Sequence, residues 1–166
     1  FDITRFNLSK IEIDLEKTNL SRMIEQVCNE FIPVLMQKGL TWNLAIAPDI
    51  FIMCDTDKIL RVFDNLIRNA INYSYNDTEI KCSLTLEDNV VYFKIKNKGK
   101  TIAPEKLKRI FEQFFRLDSS RGTATGGAGL GLAIAKEIVE LHGGTITAES
   151  RDESIAFQVA LPLSEP

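Results

Sequence analysis

Three asparagines, Asn65, Asn69 and Asn72, stand at i, i+4 and i+7 of a segment with helical periodicity. At ~100° per residue they share a wedge of roughly 60°, opposite an apolar arc. A solvated helix face would account for a polar stripe, but such a face more naturally uses Glu, Lys or Gln, since Asn is a mediocre helix former. Stacked amides are neutral groups that both donate and accept, suited to holding a hydrated Mg²⁺ and phosphate oxygens together. Tyr73, at the edge of the stripe, has a ring that can lie beside a purine base; it is equally an ordinary half-buried aromatic.

A second constellation is Gly126-Gly-Ala-Gly-Leu-Gly131, set directly before the strong helical segment Leu132-Ala-Ile-Ala-Lys-Glu-Ile-Val139. Glycines let backbone N–H groups approach an anion, and a helix N-terminus adds about half a positive charge. A glycine-rich turn alone is as readily a hinge. Here it follows Asp118–Gly127, a run of small and polar residues with no apolar area to bury, so loop and turn together fit a lid over a nucleotide.

The elements that position these residues follow from periodicity. Ile11-Glu-Ile-Asp-Leu15 alternates at the strand period, and Asn19 offers a cap to a helix whose face is Leu20, Met23, Ile24, Val27, Cys28 and Phe31, with Pro33 kinking or ending it. Short strands are predicted around Trp42–Ile46 and Ile50–Cys54, across the turn Ala47-Pro-Asp49. The asparagine helix is predicted from about Thr56 to Tyr73, with Ile59, Leu60, Phe63, Leu66, Ile67, Ala70 and Ile71 inward. A hairpin follows: Ile80, Cys82, Leu84 and Leu86, a turn at Asp88-Asn89, then Val91, Phe93 and Ile95. A short helix at Pro104–Phe111 precedes the lid, and Leu130–His142 is the third long helix, ending at Gly143-Gly144. Ile146, Ala148, Ile155, Phe157, Val159 and Leu161 supply a closing hairpin. One wet and one buried sheet face imply an α+β, two-layer sandwich with a mixed, mostly antiparallel sheet and about three helices on one face.

Bulk properties narrow the function. The 166 residues, 45% hydrophobic, suit one globular domain, and a formal net charge of −3 excludes a nucleic-acid-binding surface, which needs clustered Lys and Arg. Cys28, Cys54 and Cys82 lack metal-ligand spacing and are expected to be reduced, buried thiols, which favours the cytosol. No apolar run approaches the ~18–20 residues of a membrane span. The opening Phe1–Leu8 has the spacing of a helix already under way, as in a piece of a longer protein.

Asn65-Leu-Ile-Arg-Asn-Ala-Ile-Asn-Tyr-Ser74, Asn97-Lys-Gly99, Phe111-Glu-Gln-Phe-Phe-Arg116 and Gly127-Ala-Gly-Leu-Gly-Leu132 resemble, in order and spacing, the four boxes of the histidine kinase ATPase family. The run Thr125–Glu137 and Lys96-Asn-Lys-Gly99 look most like its vancomycin-resistance branch. The resemblance implies the Bergerat-type fold, with ATP and Mg²⁺ as ligands. It implies that Asn69 ligates Mg²⁺ with Asn65 beside it, that Tyr73 lines the base, that Asn97 reaches the adenine amino group, and that Asn72, Gly99 and Ile102 are among the cofactor-binding residues. It also assigns Gly127, Gly129, Leu130, Gly131 and Leu132 to the phosphate cradle. Arg116, by itself no more than a surface arginine, would face the terminal phosphate, with Arg121 a weaker candidate.

Three positions depart from the family pattern. Asn97 replaces the usual Asp, which should cost about 1 kcal/mol of adenine binding through lost charge assistance. Asn72 replaces a phosphate-contacting Lys, and Thr101 stands where a second glycine is common. By the same resemblance, residues 1–11 are the end of the last helix of a dimerisation/phosphoacceptor domain and 12–166 the catalytic domain. This domain would be a monomer alone, part of a homodimeric, membrane-anchored sensor whose cytoplasmic portion passes phosphate to a response regulator. A related ATP hydrolase would need a carboxylate at position 65, where Asn65 cannot act as a base; a regulator that has lost nucleotide affinity is the other alternative, and an anti-sigma serine kinase fits the phenylalanine-rich box poorly. His142, the single histidine, is explained by its place in the last turn of a helix, where capping and dipole effects favour it, rather than as a phosphoacceptor.

Overall fold

The computed structural model describes residues 12–113, 115 and 131–163. The expectations for residues 1–11, for Arg116 and Arg121, and for the glycine-rich run through Gly127, Gly129 and Leu130 lie outside them.

The first strand is displaced from the alternation of Ile11–Leu15. Residues 12–15 are irregular, with Leu15 exposed, and β1 is Glu16–Asn19. Its partner decides this: β3, Phe51–Cys54, offers four residues, and they pair antiparallel with Glu16–Asn19 as a separate two-stranded sheet. Asn19 then caps α1, Leu20–Glu30, its Oδ1 accepting from Arg22 N–H at 3.1 Å. Pro33 ends α1 as expected, and it also opens α2, Ile32–Gln37, an element the periodicity did not reveal. The first helical turn tolerates proline because its N–H would be unpaired there.

β2, Thr41–Ile46, lies in a different sheet from β3 although the two are neighbours in sequence. The main sheet has five strands in the order β2-β4-β5-β7-β6, with β4 at Glu79–Glu87, β5 at Val90–Lys98, β6 at Thr145–Arg151 and β7 at Ser154–Pro162. β2 runs parallel to β4 and every other pair is antiparallel. Asp88 and Asn89, with φ of 49° and 65°, form the two-residue left-handed turn that suits a right-twisted hairpin. Asp152 and Glu153 do the same for β6–β7 at 52° and 55°; glutamate is a poor signal for this turn, and the sequence reading did not mark it.

Period two divides the sheet. Ile80, Cys82 and Leu84 of β4, Val91, Phe93, Ile95 and Asn97 of β5, and Ile155, Phe157, Val159 and Leu161 of β7 are buried, while Lys81, Lys94 and Lys96 are exposed on the other face. The buried face carries α1, α3 (Thr56–Tyr73) and α5 (Gly131–Leu141); the short α4 is Pro104–Leu107. Phe63 of α3 meets Phe93 of β5 with ring centroids 4.7 Å apart. Leu60, expected inward, is 38% exposed, and Val62 takes its place in the core. The fold is thus the expected α+β, two-layer sandwich with a mixed sheet. Cys28, Cys54 and Cys82 are free and buried, as expected; burial raises the Cys54 thiol, and a hydrogen bond with Cys28 together with burial raises Cys82.

Asp55 secures the start of α3. Its Oδ1 accepts from Lys58 N–H at 3.2 Å and its Oδ2 from Asp14 N–H at 3.0 Å. These bonds, the Asp14 one foremost, hold its carboxyl below the usual carboxylate range despite burial. Asp55→Ala should therefore cost about 1–2 kcal/mol at neutral pH. A depressed folded-state pKa gives stability present above the unfolded value and lost as pH falls, so thermal melts should show the gap to wild type closing below about pH 4.

Candidate functional site

The helix α3 carries the asparagine stripe away from its buried arc, with Asn65 and Asn69 half-buried and Asn72 exposed. Asn65 Nδ2 donates to the carbonyl of Gly131 at 3.0 Å, tying the middle of α3 to the first residue of α5. The amide stripe and the start of the helix after the glycine-rich run thus lie side by side. A Cβ placed on Gly131 would meet Asn65 at 3.8 Å or more, ordinary contact, so α3 does not itself require glycine there. Leu132, also expected in the cradle, is half-buried against the core.

The other wall is the end of β5. Asn97 is 2% exposed on the helix-facing side, and no described residue pairs with its Nδ2. Gly99 sits under the C-terminus of α3: a Cβ there would stand 2.0 Å from the carbonyl oxygen of Tyr73 and 3.1 Å from Asn97 Nδ2. Tyr75 N–H donates to Lys98 O at 2.8 Å, and Gly99 N–H to Glu153 O at 3.1 Å, so the end of β5 is clasped between α3 and the β6–β7 turn. Thr101 has a local task, its Oγ1 accepting from Glu153 N–H at 2.8 Å. Ile102 is buried, its N–H donating to Ser150 Oγ at 2.9 Å. Asn97, Gly99, Tyr73 and Ile102 are therefore held on one clasped loop-and-helix junction, and Asn65 and Gly131 on another along the same helix.

Two contacts that hold this frame escaped the sequence reading. Lys38 Nζ donates to the carbonyls of Ile71 at 2.6 Å and Ser74 at 3.1 Å, capping the end of α3 where carbonyls lack the i+4 donor of the helix interior. Burial lowers the Lys38 pKa. Its contact is 33 residues distant in sequence, so no local pattern marks it. Lys38→Met should loosen the last turn of α3, costing about 1–2 kcal/mol and speeding amide exchange at Asn72–Ser74. Hydrogen-exchange mass spectrometry would read this change against an unaltered β6–β7 hairpin.

The second is the Asp55–His142 contact. His142 Nδ1 lies 2.8 Å from the Ile138 carbonyl, which can only accept, and Nε2 is 3.0 Å from Asp55 N–H, which can only donate. The ring is thus the neutral Nδ1–H tautomer, with both nitrogens engaged. His142 is structural, as expected, though it bridges α5 to the start of α3 rather than only ending its own helix.

Residues 54–165 match the family described as histidine kinase-, DNA gyrase B-, and HSP90-like ATPases. The chain is 53% identical over 162 residues to the sensor protein VanSC of Enterococcus gallinarum, covering 98% of this chain and 45% of that protein. It is 44% identical over 162 residues to the sensor protein VanS of Enterococcus faecium, covering 98% of this chain and 42% of that one. The chain thus spans less than half the length of these relatives. The nucleotide-free catalytic domain of the histidine kinase ThkA superposes with a TM-score of 0.82 at 25% identity, over 92% of this chain and 97% of that domain. With a matching fold and the family model spanning residues 54–165, the chain belongs to the histidine kinase-, DNA gyrase B-, and HSP90-like ATPase family.

Proposed function

We propose that this chain binds Mg·ATP between α3 and the start of α5 and presents the γ-phosphoryl group to a histidine on a separate domain, for relay to a response regulator. The observation that carries this reading is the single helix α3, which touches both junctions: Asn65 at Gly131, and the Tyr73 carbonyl over Gly99. A nucleotide fits them. Asn97 Nδ2 is a buried donor awaiting an acceptor, and an adenine ring offers acceptors in its plane. Gly99 lets the end of β5 approach the Tyr73 carbonyl more closely than any residue with a Cβ could, which sets the place of Asn97 beside α3.

Mg²⁺ suits the same residues. No cluster of three His, Cys, Asp or Glu occurs among the described residues, whereas an amide oxygen of Asn69 with phosphate oxygens and water is the company this hard ion prefers. When bound, the ion would neutralise charge on the β- and γ-phosphates. Asn65 and Asn69 would orient the phosphates, Asn72 would add a neutral contact, and Asn97, Tyr73 and Ile102 would hold the base. Arg116 is assigned to the terminal phosphate by its motif, with Gly127, Gly129, Leu130, Gly131 and Leu132 as backbone donors. Transfer forms a bond from the acceptor nitrogen to the γ-phosphorus, and the bond to the β,γ-bridging oxygen breaks, releasing ADP. The chain itself offers positioning and charge stabilisation.

Residues 1–11 are proposed as the end of the last helix of the dimerisation/phosphoacceptor domain, with 12–166 the catalytic domain, monomeric alone and part of a membrane-anchored homodimer. The similarity to VanSC and VanS supports a place in vancomycin-resistance signalling. No helix among the described residues is long and apolar enough to cross a membrane. Mixing the chain with a histidine-bearing acceptor domain and γ-labelled ATP should label the acceptor and leave this chain unlabelled, His142 included. Label on His142, or steady ATP hydrolysis without an acceptor, would refute the assignment.

A further inference from the structure

The amide at position 97 carries an inference about which nucleotides this site accepts. It rests on the proposed nucleotide reading and extends it from ATP to a class of bases. Asn97 follows Val91, Phe93 and Ile95 on the helix-facing side of β5, is 2% exposed, and its Nδ2 lacks a partner among the described residues. It is fixed in position by the antiparallel pairing of Asn97 with Ile155 on β7, and Gly99 puts no side-chain atom against Nδ2, where a Cβ would stand 3.1 Å away. The backbone is therefore rigid, while rotating the amide about its last torsion breaks no bond that Nδ2 makes with a described residue.

A carboxamide carries one acceptor and one donor side by side. The Watson–Crick edge of adenine presents the complement, an N6 donor beside the N1 acceptor. A 6-oxopurine presents the reverse, an O6 acceptor beside an N1–H donor, and a half-turn of the same amide matches it. A carboxylate at this position has only acceptors. It pairs with the adenine amine but sets its lone pairs against O6 at a position that is only 2% exposed, and buried sites reject an unpaired polar group strongly.

We propose that Asn97 makes the base pocket tolerant of 6-oxopurine nucleotides, so that inosine triphosphate binds nearly as well as ATP. Asn97 is then the residue that sets purine discrimination, through the donor that an aspartate would lack.

Isothermal titration of the chain with Mg·ATP and Mg·ITP, for the wild type and Asn97→Asp, tests this. Wild type should bind ITP within about tenfold of ATP, and Asn97→Asp should weaken ITP relative to ATP by about a further thirtyfold or more. Wild-type binding of ATP with ITP more than about tenfold weaker would overturn the proposal and leave the ATP reading standing. An unchanged ATP-to-ITP ratio in a folded Asn97→Asp protein would also overturn it. Absence of heat with either nucleotide would overturn both. The wild-type ratio decides the question if Asn97→Asp fails to fold, which a far-UV melt would show.

Discussion

Gly99→Ala is expected to remove measurable Mg·ATP binding from a domain that still folds. The added Cβ would stand 2.0 Å from the Tyr73 carbonyl oxygen, a backbone atom that cannot swing aside as a side-chain tip can. No left-handed φ is involved, so the conflict is one of space. Relief requires the end of β5 and the C-terminus of α3 to part by more than an ångström. That parting would strain the Tyr75 N–H to Lys98 O bond of 2.8 Å and move Asn97 and Tyr73 relative to each other. Overpacking of this kind costs about 1–3 kcal/mol, which a domain with this core can survive. Site geometry is less forgiving, and a displacement near 1 Å can cost on the order of a hundredfold. Calorimetry with Mg·ATP alongside a thermal melt separates the two effects. A folded Gly99→Ala protein with wild-type affinity would show that the junction is not part of the nucleotide site.

Asn69→Asp is expected to be nearly as damaging to function and almost silent in stability. The side chain is half-buried, lies off the apolar arc of α3 and changes only one atom, so the stability cost should stay within about 0.5 kcal/mol. Its new negative charge would face a polyphosphate along a stripe whose other members, Asn65 and Asn72, are neutral. The departure at Asn72 sharpens this, because the lysine usual there would offset the charge. Transfer of label from γ-labelled ATP to an acceptor domain should fall by about a hundredfold or more. Retention of more than about a tenth of the wild-type rate would remove Asn69 from the metal and phosphate machinery.

The parts of this design that rest on local chemistry were legible in the sequence. The bounds Thr56 and Tyr73 of α3 follow from periodicity, and the Asp88-Asn89 turn from residues that tolerate positive φ. Asn97 continues the period of Val91, Phe93 and Ile95 and is buried with them. What escaped depends on partners distant in the chain. The position of β1 is set by the four residues of β3, Lys38 by the carbonyls of Ile71 and Ser74, and His142 by Asp55 N–H. Leu60 shows the limit of periodicity itself: a residue at the edge of an apolar arc can face either way, and here Val62 packs inward instead. Thr101 stands where the resemblance leads one to expect a glycine, and its bond from Glu153 N–H gives it a reason of its own.

One helix, α3, is expected to join an amide stripe, a buried purine contact and the start of a second helix into a single Mg·ATP site. Amide chemical-shift mapping of the isotope-labelled chain, titrated with Mg²⁺ and a non-hydrolysable ATP analogue, tests it most directly. The largest, saturable shifts are expected at Asn69, Tyr73, Asn97, Gly99 and Gly131 together. Shifts confined to the open sheet face around Lys81, Lys94 and Lys96, or none at millimolar nucleotide, would contradict it.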